Sequence, residues 1–275
     1  MRFVTDKRGP AGAASALAGC TLLVPSVSAG NVGQLAADLA VVGLGLVRLG
    51  WLEDPHHCVL PVAGADAYHR GDGRGATLHA GIEVYGPSST ASGGAVCVVQ
   101  VRAPVVPGMR GTFSAGLATW ATSVSPARVV VLAGATPDGP KAVAEVELRA
   151  PPTSGVSASL GFGGLVALLS PGAAKDFTNL ADGSSFATLD GPSDALGLRE
   201  GSLTMGLFRN FSEQNEGTLP VLLATALVAE GDNVPDAVAL LTAVSDALGL
   251  GVDPGAPFPP SWAALHGSRP DASLF

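Results

Sequence analysis

The sequence predicts an α/β layered domain built around a largely parallel β-sheet. Two runs of strand length, TLLVPSV at 21–27 and ARVVVL at 127–132, are almost wholly apolar, as strands buried on both faces are. Segments with helical periodicity alternate with such runs, and parallel neighbours need crossover connections of that kind. Hydrophobic residues make up 47% of the 275 residues and charged residues only 14%, so the chain is globular and able to bury a large core.

Six segments are predicted as strands. The run at 127–132 suits the centre of a parallel sheet because it is rich in valine. The run at 21–27 contains Pro25, which places the end of that strand near a margin of the sheet. The remaining strands are expected at 58–62, 80–85, 95–102 and, in an edge position, 143–148.

The first helix is expected to begin after Gly30. Asn31 is a preferred N-cap residue, and Gln34 follows it at the spacing of a capping box. On this first helix, apolar residues recur on one face at Leu35, Leu39, Val42 and Leu46. A second helix is expected at 112–124.

Two further helices are predicted near the end of the domain. Residues 219–229 suit a helix that ends at Gly231. The next helix should start from Asn233 as its cap, with Pro235 in its first turn. Asp236 then lies at the positive end of the helix dipole, and Gly249 and Gly251 end the helix.

Composition excludes several classes of function. The formal net charge of −8 argues against nucleic acid as a partner, because phosphate binding needs clustered Lys and Arg. No run approaches the ~20 apolar residues of a membrane span. Residues 17–20, LAGC, look like a lipoprotein cleavage box, but the strongest apolar run follows them instead of preceding them. Cys20, Cys58 and Cys97 are odd in number and form no CxxC motif, which predicts free, buried thiols.

The turn GNVG at 30–33 has the appearance of a phosphate-binding loop. A P-loop needs Lys and Ser or Thr after its second glycine, whereas Gly33 is followed by Gln34-Leu35-Ala36. A dinucleotide-binding fingerprint needs three glycines, and only two are present. The sequence therefore favours a structural turn, in which Gly30 permits the tight bend and Asn31 caps the helix.

No set of catalytic or metal-binding residues stands out. The histidines at 56, 57, 69 and 79 lack coordinating spacing and are expected to be solvated loop residues. Ser114 lies in GTFSAG, one residue too long for a nucleophile elbow. The acidic turn at 230–233 lacks the alternation of a calcium loop. No catalytic residue, metal or cofactor is predicted, and a binding protein is favoured over an enzyme.

Three stretches resemble the proteasome assembly chaperone 2 family, the second subunit of a heterodimeric chaperone of core-particle assembly. They are TLLVPSVSAGNVGQLAADL at 21–39, VAEGDNVPDA at 228–237, and the end of the chain from PSW at 260–262 to Leu274-Phe275. Within the second stretch, the turn residues are Gly231, Asp232, Asn233 and Pro235. Residues 135–197, rich in Gly and Ala, depart from the family.

The resemblance implies a fold and a function. The fold is a single three-layer α/β/α sandwich, distantly similar to nucleoside phosphorylases but without their catalytic residues. The function is non-enzymatic: pairing with the first chaperone subunit, binding the outer face of the proteasome alpha ring, promoting correct ring formation and blocking early docking of activators. A cytoplasmic and nuclear location follows, with no nucleic-acid or membrane partner. The alternative is a phosphorylase-like nucleosidase or hydrolase.

The resemblance also implies that the chain consists of a domain at 1–252 and a proline-rich tail at 253–275. One short helical turn is expected in this tail, around Trp262. In the family, such tails enter pockets between alpha subunits, which makes Trp262, Ser273, Leu274 and Phe275 the expected partner-binding residues. Leu stands where the best-known tail has Tyr, so this anchor is expected to differ from that form. Burial of each apolar side chain would contribute ~1.5–3 kcal/mol.

Overall fold

Ten strands form a single sheet in the described part of the chain. The computed structural model describes residues 1–64, 66–68, 78–89, 94–136, 147–149, 165–169, 187–190, 198–199, 201–214, 218–229, 231–253 and 255–264. The strands are β1 (Arg2–Thr5), β2 (Thr21–Pro25), β3 (Val47–Glu53), β4 (Ile82–Gly86), β5 (Val96–Val101), β6 (Arg128–Ala135), β7 (Glu147–Arg149), β8 (Leu165–Leu169), β9 (Ala187–Asp190) and β10 (Val221–Leu227). Their order across the sheet is β1-β3-β4-β5-β2-β6-β10-β8-β9-β7.

The centre of the sheet is parallel. β5, β2, β6 and β10 run in the same direction, with Leu22 opposite Cys97 on one side and Val129 on the other. Their residues are branched or small and almost entirely buried, as strands covered on both faces must be. On one side, β4, β3 and β1 continue the sheet antiparallel to their neighbours. On the other side, β8 pairs antiparallel with β10.

In the described part of the chain, four α-helices cover the two faces of the sheet. They are α1 (Val32–Gly43), α2 (Arg110–Val124), α3 (Leu203–Glu213) and α4 (Val234–Leu248). α1 and α4 pack together on one face, where they bury Leu23 and Val130. α2 and α3 pack on the other face, where they bury Leu22 and Val131. The predicted three-layer α/β/α sandwich with parallel central strands is confirmed.

The predicted helix at 219–229 is wrong, because this segment is the parallel strand β10. Its sequence VLLATAL is buried throughout, and it pairs with β6 from Val221 opposite Val129 to Leu227 opposite Ala135. A short run that is apolar on both sides has no periodicity to separate a strand from a buried helix. Its neighbours in the sheet decided the conformation.

Other boundaries also differ from prediction. The first helix ends at Gly43, so Leu46 lies beyond it, and Gly45 adopts a φ of 60° before β3 begins. At 58–62 only Val59 makes a ladder contact, an isolated bridge to Val105, so no strand forms there. Helix α3 was not predicted, although Ser202 caps it by accepting a hydrogen bond from the Met205 amide at 3.2 Å.

The remaining predicted elements are present where the structure describes them. The strands at 80–85, 95–102 and 127–132 correspond to β4, β5 and β6, and the helix at 112–124 corresponds to α2. β7 overlaps the segment predicted as an edge strand, and it is the last strand in the sheet order. A short 3-10 turn, Pro260–Ala264, contains Trp262 as expected.

The three cysteines are free and buried, as the sequence predicts. Burial, together with the neighbouring Asp54, raises the pKa of Cys58 to about 11, so this thiol is uncharged at neutral pH. None of the helices within the described ranges is long and apolar enough to cross a bilayer.

Candidate functional site

Two of the sequence motifs, the first at GNVGQ (30–34) and the second at GDNVP (231–235), meet at the carboxyl edge of the parallel strands. β2 leads into the turn at 30–34, and β10 leads into the turn at 231–235, with β6 between these two strands. Gly30 has a φ of 63°, and a Cβ atom built on it would lie only 2.6 Å from Cγ of Asn233. The residue at position 30 must therefore be glycine for the turns to touch.

Gly33, the second glycine of the first motif, is required by close packing against the sheet. A Cβ atom on Gly33 would lie 2.3 Å from the carbonyl oxygen of Leu132 in β6. The first turn of α1 consequently rests directly on the central strand. Both glycines serve close backbone packing, as the sequence favours, and phosphate contact is not needed to explain them.

The predicted capping box at the start of α1 is wrong. Asn31 occupies the N-cap position, but its backbone is left-handed with a φ of 54° and its side chain makes no capping bond. An N-cap side chain reaches the helix amides from an extended backbone, which this turn does not have. The Gln34 side-chain amide instead donates to the carbonyl oxygen of Val101 at 3.4 Å, joining α1 to the end of β5.

In the second motif, the residue that caps helix α4 is Asp232 and not the predicted Asn233. Asp232 Oδ1 accepts a hydrogen bond from the Val234 amide at 3.0 Å, whereas Asn233 makes no side-chain cap. The buried Asn233 amide donates to the carbonyl oxygen of Gly231 at 3.0 Å and so closes the turn that faces Gly30. Pro235 lies in the first turn of α4, as predicted.

A buried polar cluster lies beside these turns, under β3, β4 and β5, and its centre is Glu83. The Glu83 carboxylate is fully buried and accepts hydrogen bonds from Arg48 at 2.8 Å and Arg102 at 3.1 Å. The Tyr85 hydroxyl donates to it at 2.9 Å, and His79 Nδ1 lies 2.5 Å from it. With four partners, the carboxylate is held as an ion between two guanidinium groups.

Asp38 extends the polar cluster from β5 to helix α1. It accepts hydrogen bonds from the Tyr68 hydroxyl at 2.5 Å and from the Gln100 amide at 2.6 Å. The Arg102 guanidinium lies 3.3 Å from the same oxygen and stacks over the Tyr68 ring at 5.2 Å. Sequence reasoning missed this cluster. The available signal was Glu83 and Tyr85 alternating with apolar residues in IEVYG, which places both on one face of a buried strand.

We expect the polar cluster to make the fold acid-sensitive. Burial alone would raise the pKa of Glu83, but the hydrogen bonds from His79 and Arg48 and the charge of Arg102 hold that pKa at about 2. Because the pKa of Glu83 is lower in the folded state than its usual value of 4.5, the ionised carboxylate stabilises the fold at pH values above 4.5. This contribution to stability is lost as the pH falls from 4.5 towards 2. Urea unfolding at pH 7, 4.5 and 3 should show the wild type losing stability over this window. A Glu83→Gln variant should lose less, and an equal loss would contradict the assignment.

Two cavities flank the polar cluster. One, of about 720 Å³, lies at the carboxyl edge and is lined by Asn31, Gln34, Asp38, Arg102 and Ser261, among others. The other, of about 530 Å³, lies on the far side of the cluster and is lined by residues that include Arg48 and His79. Several charged side chains at their walls pair with one another, among them Asp38 with Arg102 and Asp6 with Arg48. Among the residues that the structure describes, no three His, Cys, Asp or Glu side chains are grouped to hold a metal ion.

The histidine prediction fails at one position. His79 is buried, with its Nε2 atom accepting a hydrogen bond from the Ala67 amide at 2.5 Å. Because Nε2 accepts, Nδ1 carries the proton that is donated to Glu83. His56 and His57 are exposed, as expected, and His69 lies outside the described residues.

Trp262 lies against the domain. Its indole N–H points to Asp38 Oδ2 at 3.4 Å, and its ring packs at the edge of the apolar cluster between α1 and α4. The other expected tail residues, Ser273, Leu274 and Phe275, lie outside the described residues, as does Glu230 of the second motif. The structure thus brings together Gly30, Asn31, Gly33 and Gln34, the turn at 231–235 and Trp262 around one edge of the sheet.

The fold and the site define the class of the protein as an α/β/α sandwich. Close-packed glycine turns and buried ion pairs stabilise the carboxyl edge of its parallel strands. The model of the PAC2 family matches residues 22–259, and the chain belongs to this family. It is 29% identical to proteasome assembly chaperone 2 of Danio rerio over 271 residues, covering 94% of this chain and 95% of that protein. It is also 29% identical to proteasome assembly chaperone 2 of Homo sapiens over 277 residues, covering 94% and 96%.

Solved structures show the same fold. The Pyrococcus furiosus protein PbaA, described as an archaeal homolog of proteasome-assembly chaperone, superposes with a TM-score of 0.58 at 13% identity, covering 92% of this chain and 84% of that one. A Thermoplasma acidophilum protein of unknown function superposes with a TM-score of 0.55 at 18% identity, covering 86% and 78%. At these identities the likeness concerns the fold alone.

Proposed function

We propose that this protein is a chaperone for assembly of the proteasome core particle. The observation that carries the proposal is the match, along nearly the whole of both chains, to relatives named proteasome assembly chaperone 2. The site agrees with a binding role, because Glu83 pairs with Arg48 and Arg102 in the interior and Asp38 pairs with Arg102. Charged side chains that are paired in this way hold the fold together, and none of these four is left unpaired to act as a nucleophile or an acid.

In the finer form of the proposal, the chain pairs with the first subunit of the chaperone and the pair binds the outer face of the alpha ring. There it promotes correct ring formation and blocks premature docking of activators. Four large apolar side chains are exposed among the described residues: Leu60, Val62, Leu78 and Phe258. In the proposal these side chains contribute to contacts with protein partners, as exposed apolar residues do where they form a contiguous patch. The location that follows from this role is the cytoplasm and nucleus.

The tail supplies the second contact in the proposal. Residues 273–275 are Ser, Leu and Phe, which place two apolar side chains next to each other in the proline-rich tail. Docking of the apolar side chains of a peptide segment into pockets is a recurring mode of recognition. The expected target is a pocket between neighbouring alpha subunits.

A pull-down from the native cell tests the proposal. The protein carries an N-terminal tag and is compared with a variant lacking residues 273–275, with partners identified by mass spectrometry. We expect alpha subunits and a second chaperone subunit with the full chain, and a loss of alpha subunits of about tenfold or more from the truncated chain, because two buried apolar side chains contribute several kcal/mol. The second chaperone subunit should remain.

An Ala272→Ser variant is the matched control, because it changes the tail beside the predicted binding residues and keeps Ser273, Leu274 and Phe275. It should recover alpha subunits as the wild type does. Absence of proteasome subunits from every sample would contradict the proposed function. Cleavage of nucleosides by the purified protein would then favour the phosphorylase-like alternative.

A further inference from the structure

Residues 66–68 connect the buried polar cluster to the 3-10 turn Pro260–Ala264, and we call them the bridge segment. On one side, the Ala67 amide donates to His79 Nε2 at 2.5 Å. On the other side, the Ala67 carbonyl oxygen accepts a hydrogen bond from the Ser261 amide at 3.2 Å. One residue therefore bonds both to the buried imidazole and to the turn.

Tyr68 gives the bridge segment a second connection to the turn. Its hydroxyl donates to Asp38 Oδ1 at 2.5 Å, and the Trp262 indole N–H points to Oδ2 of the same carboxylate at 3.4 Å. The Tyr68 amide donates to Asp66 Oδ1 at 3.0 Å, which ties the segment together. A displacement of the bridge segment would therefore disturb the contacts that hold the 3-10 turn on the domain.

The bridge segment can bond to His79 only while the imidazole is neutral. The Ala67 amide needs the lone pair on Nε2, so the ring proton lies on Nδ1, which is 2.5 Å from the Glu83 carboxylate. A second proton would occupy Nε2 and turn it into a donor that faces the Ala67 donor. Asp66 Oδ1 lies 3.6 Å from Nε2 and could accept the new N–H once Ala67 has moved.

We infer that uptake of a second proton by His79 displaces Ala67 and releases the 3-10 turn, so that docking of the turn is a pH-sensitive switch. The docked turn requires the neutral ring and the released turn does not, so the released form binds one more proton. Acidification therefore favours release, and docking returns as the pH rises. The switch lies within the chain itself and needs no partner to operate.

Charges of both signs face the ring. Glu83 at Nδ1 and Asp66 at Nε2 favour the imidazolium. Arg48 and Arg102 oppose it, since both guanidinium groups bind the same Glu83 carboxylate from β3 and from the end of β5. The second proton thus has a carboxylate ready on each side of the ring, while the bond from the Ala67 amide holds the ring neutral in the docked form.

Two tyrosines also face the ring. The Tyr85 hydroxyl lies 3.3 Å from Nδ1, and the Tyr68 ring, whose hydroxyl bonds to Asp38, packs edge-on at 5.6 Å. Burial raises the pKa of both tyrosine hydroxyls, whereas hydrogen bonds overcome the effect of burial and hold the pKa of Glu83 at about 2. These three groups therefore keep their charge between about pH 5 and 8, where histidines in general change theirs.

NMR of the purified protein between about pH 8 and pH 5 tests the inference. At the upper end, the imidazole ¹⁵N shifts of His79 should show the neutral tautomer with its proton on Nδ1. As the ring becomes charged, the protection factor of the Ser261 amide against hydrogen exchange should fall by up to about tenfold per pH unit, the slope for uptake of one proton. The two changes should share a midpoint, while amides in β6 stay protected.

A His79→Gln variant removes the titrating group. The Gln amide can accept from Ala67 and donate to Glu83 as the neutral ring does, but it takes up no proton in this range. Protection of the Ser261 amide should then be independent of pH. His56→Gln is the matched control, because His56 is exposed, and this variant should lose protection on acidification as the wild type does.

Asp66→Asn is a second variant, which decides the question if His79→Gln does not fold. It keeps an oxygen that can accept the hydrogen bond from the Tyr68 amide, but it removes the charge that would receive the imidazolium. The midpoint for loss of Ser261 protection should therefore move to lower pH.

Three results would overturn the inference. The first is a His79 ring that becomes charged while the Ser261 amide stays protected, because the ring and the turn would then be uncoupled. The second is a folded His79→Gln variant with the same pH dependence as the wild type. The third is an unchanged midpoint in Asp66→Asn.

Discussion

Replacing Glu83 by Gln is expected to destabilise the protein by about 3–5 kcal/mol. The carboxylate is fully buried and lies between Arg48 and Arg102, whose charges would be left short of a partner in the interior. Removal of one member of a buried ion pair costs more than the pair itself contributes, because the remaining charge stays desolvated. Urea unfolding at pH 7 measures the difference directly.

Glu53→Gln is the matched control for this prediction. Glu53 also accepts hydrogen bonds from an arginine, Arg2, but both side chains are largely exposed on the edge pair of β1 and β3. Its loss should change the free energy of unfolding by less than about 1 kcal/mol. A similarly small change for Glu83→Gln would mean that Asp6 and Asp38 suffice to hold the two guanidinium groups, and the central role of Glu83 would be wrong.

The second large effect is expected for Gly33→Ala, at about 3 kcal/mol of destabilisation. The new Cβ atom would lie 2.3 Å from the Leu132 carbonyl oxygen, and a backbone atom of a central strand cannot move aside without disturbing the sheet. Helix α1 would have to shift away from β6, carrying the turn at Gly30 away from Asn233. Thermal and urea unfolding of the purified variant give the magnitude.

Gly111→Ala tests whether the clash, and not helix propensity, causes the effect. Gly111 is the second residue of α2, as Gly33 is of α1, and a Cβ atom built on it meets nothing within 4 Å. Since Ala favours helix over Gly, this variant should be unchanged or up to about 1 kcal/mol more stable. If Gly33→Ala behaved in the same way, the proposed close packing of α1 on β6 would be refuted.

Most of the fold could be predicted because its strands and helices carry strong local patterns. The valine-rich run in β6 and the apolar face of α4 each have one conformation that buries their side chains. The prediction of a helix at 219–229 is wrong because the seven residues of β10 are buried on all sides, which removes the periodicity that separates a strand from a buried helix. Helix α3 is absent from the prediction, although its sequence LTMGLFRNFSE carries an apolar face and Ser202 stands at its N-cap position.

The site divides in a similar way. The glycines at 30 and 33 and the turn at 231–235 were recognised as structural from their own residues. The contact between Gly30 and Asn233 joins positions about two hundred residues apart, and no local pattern announces it. Asn31 shows the limit of local rules, since a good capping residue stands at the right position with a backbone that prevents capping.

The sequence by itself determined the α/β class, three of the four central parallel strands (β2, β5 and β6), the turns before α1 and α4 and the free cysteines. These features depend on side chains within a few residues of one another, so composition and periodicity reveal them. Only the tertiary structure decided that Glu83, His79, Arg48 and Arg102 form one buried cluster and that Trp262 joins it through Asp38. Charged groups enter a core only when distant partners meet them there, and the identity of those partners is set by the packing of the whole chain.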